Sequence, residues 1–367
     1  MRLEHITGMQ AGYAMGMRPD GRELLVVCIK GTFTIPRDGG EPQLAEEQAP
    51  LVEADIFTGE PGLSAPLYES DYAPFKPNCD VLLNGSAYAP QGRPATRVRV
   101  FLQVGSLAKS FHVVGNRFWL KNYGSVQSTE PQPFVKMPFS YDTAFGGLDA
   151  SRQDPLKLQA YAANPLGRGF HVHLDDESVH GMPLPNTEEL QQSIAEPNGS
   201  YRPMSLGPIH RSWPPRITYA GTYDQNWLDN LFPFLPPDFD ERYYQAAPKD
   251  QQIPYPAGGE LVVLGNLTPE GRVSFTLPRK NMLVWYLLKN GEEKAETAVL
   301  DTICLEPDDG RFTLTWRSSL PLKRNMFEVE MVVIGDNPEA RFVVESSELE
   351  AMTAIEAEEA EKSKGAA

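Results

Sequence analysis

The densest grouping of side chains able to hold a metal or move a proton is Phe170 to His180, FHVHLDDESVH, with three of the chain's six histidines. On a strand, His171, His173 and Asp175 project from one face, because side chains alternate with period two. Two imidazole nitrogens and a carboxylate form a donor set suited to zinc and related metals. The competing reading of the same residues is a polar surface loop. Metal-dependent hydrolysis at His171, His173 and Asp175 is therefore one functional expectation, set against a structural one.

Other chemistry is harder to place. The segment superficially resembles the HxHxDH ligand set of metallo-β-lactamase-type hydrolases, but Asp176 stands where the last histidine belongs. No GxSxG elbow and no phosphate-cradling GxGxxG or GxxxxGKS loop occurs. The pairs Asp238/Asp240 and Asp308/Asp309 are expected to cap turns, since Asp bonds readily to its own local backbone. His112 falls within a strand-like run and reads as a structural histidine. Cys28, Cys79 and Cys304 are widely spaced and odd in number, which gives neither a disulfide framework nor a zinc knuckle. Each reads as a small buried hydrophobe in a reducing compartment. No catalytic residue and no cofactor is expected.

The elements that must position any site are dominated by the stretch from Trp213 to Gln252. Between Trp213 and Tyr244 it holds nine aromatic residues and five prolines. Aromatic rings carry the largest apolar surface per residue, and proline forbids long regular elements. The expectation is an ordered, irregular belt packed between other elements. Trp213, Arg216, Tyr219, Tyr223, Asp224, Trp227, Asp240, Arg242 and Tyr243 mix charge with aromatic surface. Their structural reading is a buried hydrogen-bonded network and their functional reading is a recognition platform. The structural reading places Trp227 in the core, where truncation to Ala costs about 3–5 kcal/mol.

Composition bounds the class. The chain has 367 residues, 33 prolines, 30 glycines and a net charge of −16. That describes a folded, loop-rich protein whose acidic surface disfavours nucleic acid and anionic membranes. The residues from Glu345 onward hold seven Glu and two Lys. The N-terminal residues lack the apolar core of a signal peptide, and no apolar run is long enough for a membrane span, so a cytoplasmic location is expected.

Along the chain, Glu23 to Ile35 is β-branched, and Thr96 to Leu120 alternates apolar and polar residues through a turn at Gly105-Ser106. Strand patterns return after Glu260, with hairpin turns at Thr268 to Gly271 and at Asn290-Gly291. Absent amphipathic helices exclude a parallel βαβ architecture. The fold class expected is mainly β: two antiparallel β-sandwich-like sheet assemblies joined by a long irregular Pro/Gly/aromatic-rich segment, with a short C-terminal helix. The corresponding divisions are 1–139, an N-terminal β half; 140–259, the irregular connecting segment; 260–343, a C-terminal β half; and 344–367, an acidic helix and tail.

Several blocks carry a wider resemblance. KGTFTI, SDYAPFKPNCDVLLNGSAYAP, KSFHVVGNRFW, FVKMPFSYDTAFGG, NPLGRGF, RPMSLGPIHRSWPPR, AGTYDQNW, LPPDFDERYYQAAPKDQ and LDTICLEPDDGRFTLTWR occur in that order. Together they resemble the bacterial domain-of-unknown-function family numbered 2169, across roughly residues 20–320. Asn116 departs from that pattern, where Asp is expected. The resemblance implies a protein of Gram-negative type VI secretion clusters: a non-enzymatic adaptor or chaperone. Such a protein binds an effector and helps load it onto the VgrG/PAAR spike. Its expected partners are the effector protein and PAAR or VgrG, through an interface of about 800 Å2 per partner or more. The contact surfaces expected are exposed residues of 140–212 and the acidic C-terminal helix, with the belt holding the halves together. A glycan-binding module using the belt's Trp and Tyr faces is the remaining alternative.

Overall fold

β-branched and alternating runs become strands, and proline-rich stretches become the irregular chain that covers them. The computed structural model describes residues 1–335 except 38, 123–124, 152–157, 175–176 and 215. The expected C-terminal helix at 344–367 lies outside the described residues. In chain order the strands of the three larger sheets begin with β1 (Arg2–His5), β2 (Gln10–Met17), β3 (Glu23–Thr34) and β4 (Cys79–Leu83). Next come β5 (Arg97–Val104), β6 (Leu107–Val114), β7 (Thr187–Glu188) and β8 (Gln252–Ile253). Then follow β9 (Leu261–Gly265), β10 (Arg272–Thr276), β11 (Leu283–Leu288) and β12 (Glu293–Thr297). The series ends with β13 (Val299–Glu306), β14 (Arg311–Pro321) and β15 (Val329–Gly335). The one α-helix among the described residues is α1 (Gln225–Asn230). No helix is long and apolar enough to cross a membrane.

The protein is mainly β, as the sequence pattern indicates, but its sheets are mixed and interleaved. The six-stranded sheet runs β8-β4-β13-β14-β3-β2 and the five-stranded sheet β7-β6-β5-β9-β10. The four-stranded sheet runs β1-β15-β11-β12. Each combines strands from before residue 139 with strands from after residue 260, so the expected N-terminal and C-terminal β halves do not form separate sheets. The reason lies in strand length. The twelve-residue β3 needs a partner of matching length, and β14 supplies eleven register pairs with it. Purely antiparallel pairing also fails: β4 lies parallel to β13 and β1 parallel to β15.

One apolar cluster fills the space between the sheets. It contains Leu25 and Ile29 of β3, Val100 of β5, Phe111 of β6, and Val284 and Tyr286 of β11. Phe312 of β14 links two sheets by stacking with Phe33 at 5.5 Å and with Phe275 of β10 at 5.1 Å. The hairpin turn at Asn290-Gly291 forms as expected, with Gly291 at φ +81°, a conformation that favours glycine.

The far face of the six-stranded sheet is buried too, beneath irregular chain. Along β3 the burial is continuous from Leu24 to Phe33, in keeping with the apolar run from Leu24 to Ile29 that opens it. Charges that this face carries are paired. Lys30 Nζ meets Asp71 Oδ2 at 2.9 Å, and Lys76 Nζ meets Asp80 Oδ2 at 2.9 Å. Arg317 donates to Asp301 through Nε and, at 3.3 Å, through Nη2. All six residues are at most 9% exposed.

Removing one partner of such a pair leaves a buried, uncompensated charge. Asp301→Ala is expected to cost about 3–5 kcal/mol in urea unfolding. The double variant Asp301→Leu, Arg317→Met, which removes both charges, recovers most of that loss.

Candidate functional site

The belt divides into a buried anchor and an exposed arm. In the anchor, Trp213 is 3% exposed and packs edge-on to Tyr141 at 5.8 Å. Arg216 is 2% exposed. Its Nη1 donates to Ile209 O at 2.7 Å and to Glu69 Oε1, and its Nη2 donates to Tyr243 O at 2.7 Å and Glu69 Oε2 at 3.2 Å. Arg211 reaches Asp55 Oδ1 at 2.9 Å from the same cluster. Burial pushes the Glu69 carboxyl up, but the Arg216 and Arg211 guanidinium groups outweigh it and hold the group below the usual carboxylate range.

After the arm, the chain is clamped again. Asp80 Oδ2 accepts from Ala246 N at 2.8 Å, and Oδ1 accepts from Ala247 N at 3.1 Å and from Gln245 Nε2 at 2.6 Å. Arg242 lies 4.3 Å over the Tyr219 ring and pairs with Asp240, which caps the following turn by accepting from Arg242 N at 2.9 Å. Asp238 accepts from Thr222 N at 2.9 Å and Thr222 Oγ1 at 2.7 Å, closing the arm's base. Asp240 caps local backbone, as its residue type suggested, whereas Asp238 bonds a residue sixteen positions upstream.

Between these clamps the arm leaves several large apolar side chains exposed. Asp224 caps α1, accepting from Trp227 N at 2.8 Å. The Trp227 indole is half-buried and sits edge-on to Tyr223 at 4.7 Å and to Phe232 at 5.6 Å. Its Nε1 donates to Phe234 O at 2.8 Å. Tyr223, Leu228, Phe232 and Phe234 are 52%, 55%, 62% and 47% exposed. The core position expected for Trp227 is thus not what the chain adopts. Its rings pack on one another within the arm, with the six-residue α1 too short to carry them to the body. From Gly221 to Glu241 the arm holds five carboxylates and no Lys or Arg.

The histidine segment takes a different form from a ligand-bearing strand. Among the described residues the segment forms no strand, the nearest being Arg168–Gly169 just before it. The buried Asp149 carboxylate accepts from Val172 N at 2.8 Å and His173 N at 3.4 Å, which curls the backbone and removes the period-two projection. His171 is 4% exposed, with Nδ1 3.5 Å from Asp149 Oδ1 and Nε2 3.5 Å from Ser178 Oγ. Asp175 lies outside the described residues. Among the described residues, no group of three or more His, Cys, Asp or Glu side chains has a metal-binding arrangement.

All three cysteines are buried and unbridged. Burial pushes the Cys28 thiol up to about 12, with Arg317 opposing. A cleft of about 460 Å3 opens between Leu67, Asn84, Phe139, Asp142, Glu306 and Asp308. Sequence reasoning did not find it, because its walls come from segments far apart in the chain. Its carboxylates are engaged: Asp308 accepts from Ser86 Oγ at 2.7 Å, Tyr88 Oη at 2.8 Å and Lys136 Nζ at 3.0 Å.

The model of the bacterial family described as uncharacterized protein conserved in bacteria (DUF2169) matches residues 20–317, and the chain belongs to that family. No curated protein and no solved structure matches it.

The anchor and the arm respond differently to substitution. Glu69 is held below its ordinary range, so its contribution is present above the unfolded carboxylate value of about 4.3 and is lost as pH falls through the folded value. In chemical denaturation, Glu69→Gln is expected to lower stability by about 3 kcal/mol at neutral pH and to flatten the acid limb of the stability–pH curve. Trp227→Ala, in the half-buried arm, is expected to cost about 1 kcal/mol, well short of a core truncation.

Proposed function

We propose that this protein is a non-enzymatic adaptor that binds a type VI secretion effector in the cytoplasm and helps load it onto the VgrG/PAAR spike. The observation that carries the reading is the arm from Gly221 to Glu241, with four large apolar side chains each at least 47% exposed. Exposed apolar groups gathered on one element mark protein-interaction sites, and aromatic residues are the usual interface anchors. Five carboxylates around them favour a partner surface bearing Lys and Arg, and they disfavour contact with other acidic proteins.

The two clamps support the same reading. Arg216 with Glu69 before the arm, and Asp80 with Ala246 and Ala247 after it, fix its roots to the body. A partner then meets a surface held in place, which lowers the ordering cost of association. The adaptor reading moves the expected contact from residues 140–212 to the arm.

The test is a tagged pull-down from the native bacterium, with proteins identified by mass spectrometry. Wild type is expected to recover a toxin-like protein together with PAAR or VgrG. Leu228→Asp with Phe232→Asp is expected to reduce that recovery at least about tenfold while leaving the melting temperature within ~2 °C, because both side chains are exposed. If neither class of protein is recovered while type VI proteins are expressed, the adaptor reading fails.

A further inference from the structure

Strand β2 closes one side of the six-stranded sheet, and among the described residues no strand lies beyond it. Its eight residues pair with β3 in unbroken register from Gln10↔Lys30 to Met17↔Glu23. Among the described residues, no hydrogen bond reaches the outward-facing N–H and C=O groups of Gln10–Met17. Such an edge is a template for another strand, and proteins usually guard it with Lys, Pro, a bulge or a covering segment. Here the twelve residues from Ile6 to Met17 include no charge and no proline. The sheet face above β2 is already closed: a Cβ at Gly12 would meet Tyr72 and Leu51, and one at Gly16 would meet Pro74. The outward N–H and C=O groups thus stay unpaired along the edge, and Tyr13 and Met15, on the opposite sheet face from Gly12 and Gly16, are 38% and 40% exposed.

We infer that this edge is the interface between two copies of the chain. Strand β2 pairs antiparallel with β2 of the second copy and joins the two six-stranded sheets across a twofold axis. Charge confines a second copy to this strip. A chain of net charge −16 brings carboxylates together over most of its surface, whereas this strip is neutral. Residues facing each other across a continuous sheet must share a face, which centres the pairing on Tyr13 or on Ala14. In both registers no two like charges are opposed along the strand. The arm lies at one end of the edge, since the Phe234 ring packs where a Cβ on Gly21 would stand, 2.9 Å away. Antiparallel pairing puts the two arms at opposite ends of the seam, so the dimer presents two partner-binding surfaces.

Sedimentation equilibrium of the full chain over a micromolar concentration series tests this, with hydrogen exchange at both ends of the series. Wild type is expected to dimerise, with exchange at Gln10–Met17 slowing as concentration rises. Tyr13→Lys with Met15→Lys is expected to raise the dimer dissociation constant at least about tenfold with an unchanged near-ultraviolet spectrum. Gln10→Lys, at an exposed position of the same edge, gives the same direction of change if the double variant does not fold. A wild-type monomer throughout, a dimer indifferent to these substitutions, or slowed exchange at β2 only when a different protein is added would each overturn the inference.

Discussion

The rest of the structure depends on one constraint: the six-stranded sheet, apart from its edge strand β2, is buried on both faces, and irregular chain covers the outer one. Helices satisfy their own backbone, so a helical cover asks nothing of the sheet beneath it. Loops do not, and a buried loop must find partners for every N–H and C=O. The side chains of the sheet and its cover supply them. Asp80 of β4 takes the amides of Ala246 and Ala247, while Gln251 gives its Nε2 to Val81 O at 2.8 Å and Leu206 O at 2.9 Å. Arg317 of β14 donates to Asp71 O. The charged groups among them are themselves buried, so each needs a counter-charge, and the Lys30–Asp71, Lys76–Asp80 and Arg317–Asp301 pairs follow from that need.

The same constraint explains where the belt goes. Arg216 sits at the point where irregular chain passes beneath the surface, and it ties Ile209 O and Tyr243 O together while Glu69 balances its charge. Residues 209 and 243 are thereby held close, and everything between Gly221 and Glu241 is left as an excursion whose ends are fixed. The excursion is too short to build a core of its own. Its aromatic rings cover one another and remain largely in solvent.

Much of this fold was legible because strand signals are local. The alternation from Arg97 to Val104, the apolar run after Glu23 and the Asn290-Gly291 turn each describe contacts within a few residues. Partner choice was not legible. Nothing near Val81 indicates that Ile303, more than two hundred positions away, lies beside it in parallel. The buried charges were equally hidden: Lys30 and Arg317 interrupt apolar runs as ordinary surface residues do, and their burial is decided by loops that arrive from elsewhere. At the belt, ring content announced an ordered segment, and Trp213 and Arg216 obeyed the buried reading. Ring content is silent on exposure, however, which is why Trp227 and its neighbours departed from it. For the histidine segment the missing signal was Asp149, whose carboxylate sets the local backbone from more than twenty residues upstream.

On the adaptor reading proposed above, the arm's hydrogen bonds matter more for recognition than for folding. Exposed contacts such as Asp224 to Trp227 N, Trp227 Nε1 to Phe234 O, and Asp238 to Thr222 each contribute on the order of 1 kcal/mol or less. Their common effect is to narrow the conformations of a segment that would otherwise sample many. A flexible acidic and aromatic loop would lose that freedom on binding, at roughly 0.5–1.5 kcal/mol for each immobilised side chain. Here the chain ordered the rings when it folded, using anchors whose stability comes from the buried charge network beneath. The arm can therefore keep its apolar side chains in water and still present a defined shape, since the interactions that fix its roots lie in the body.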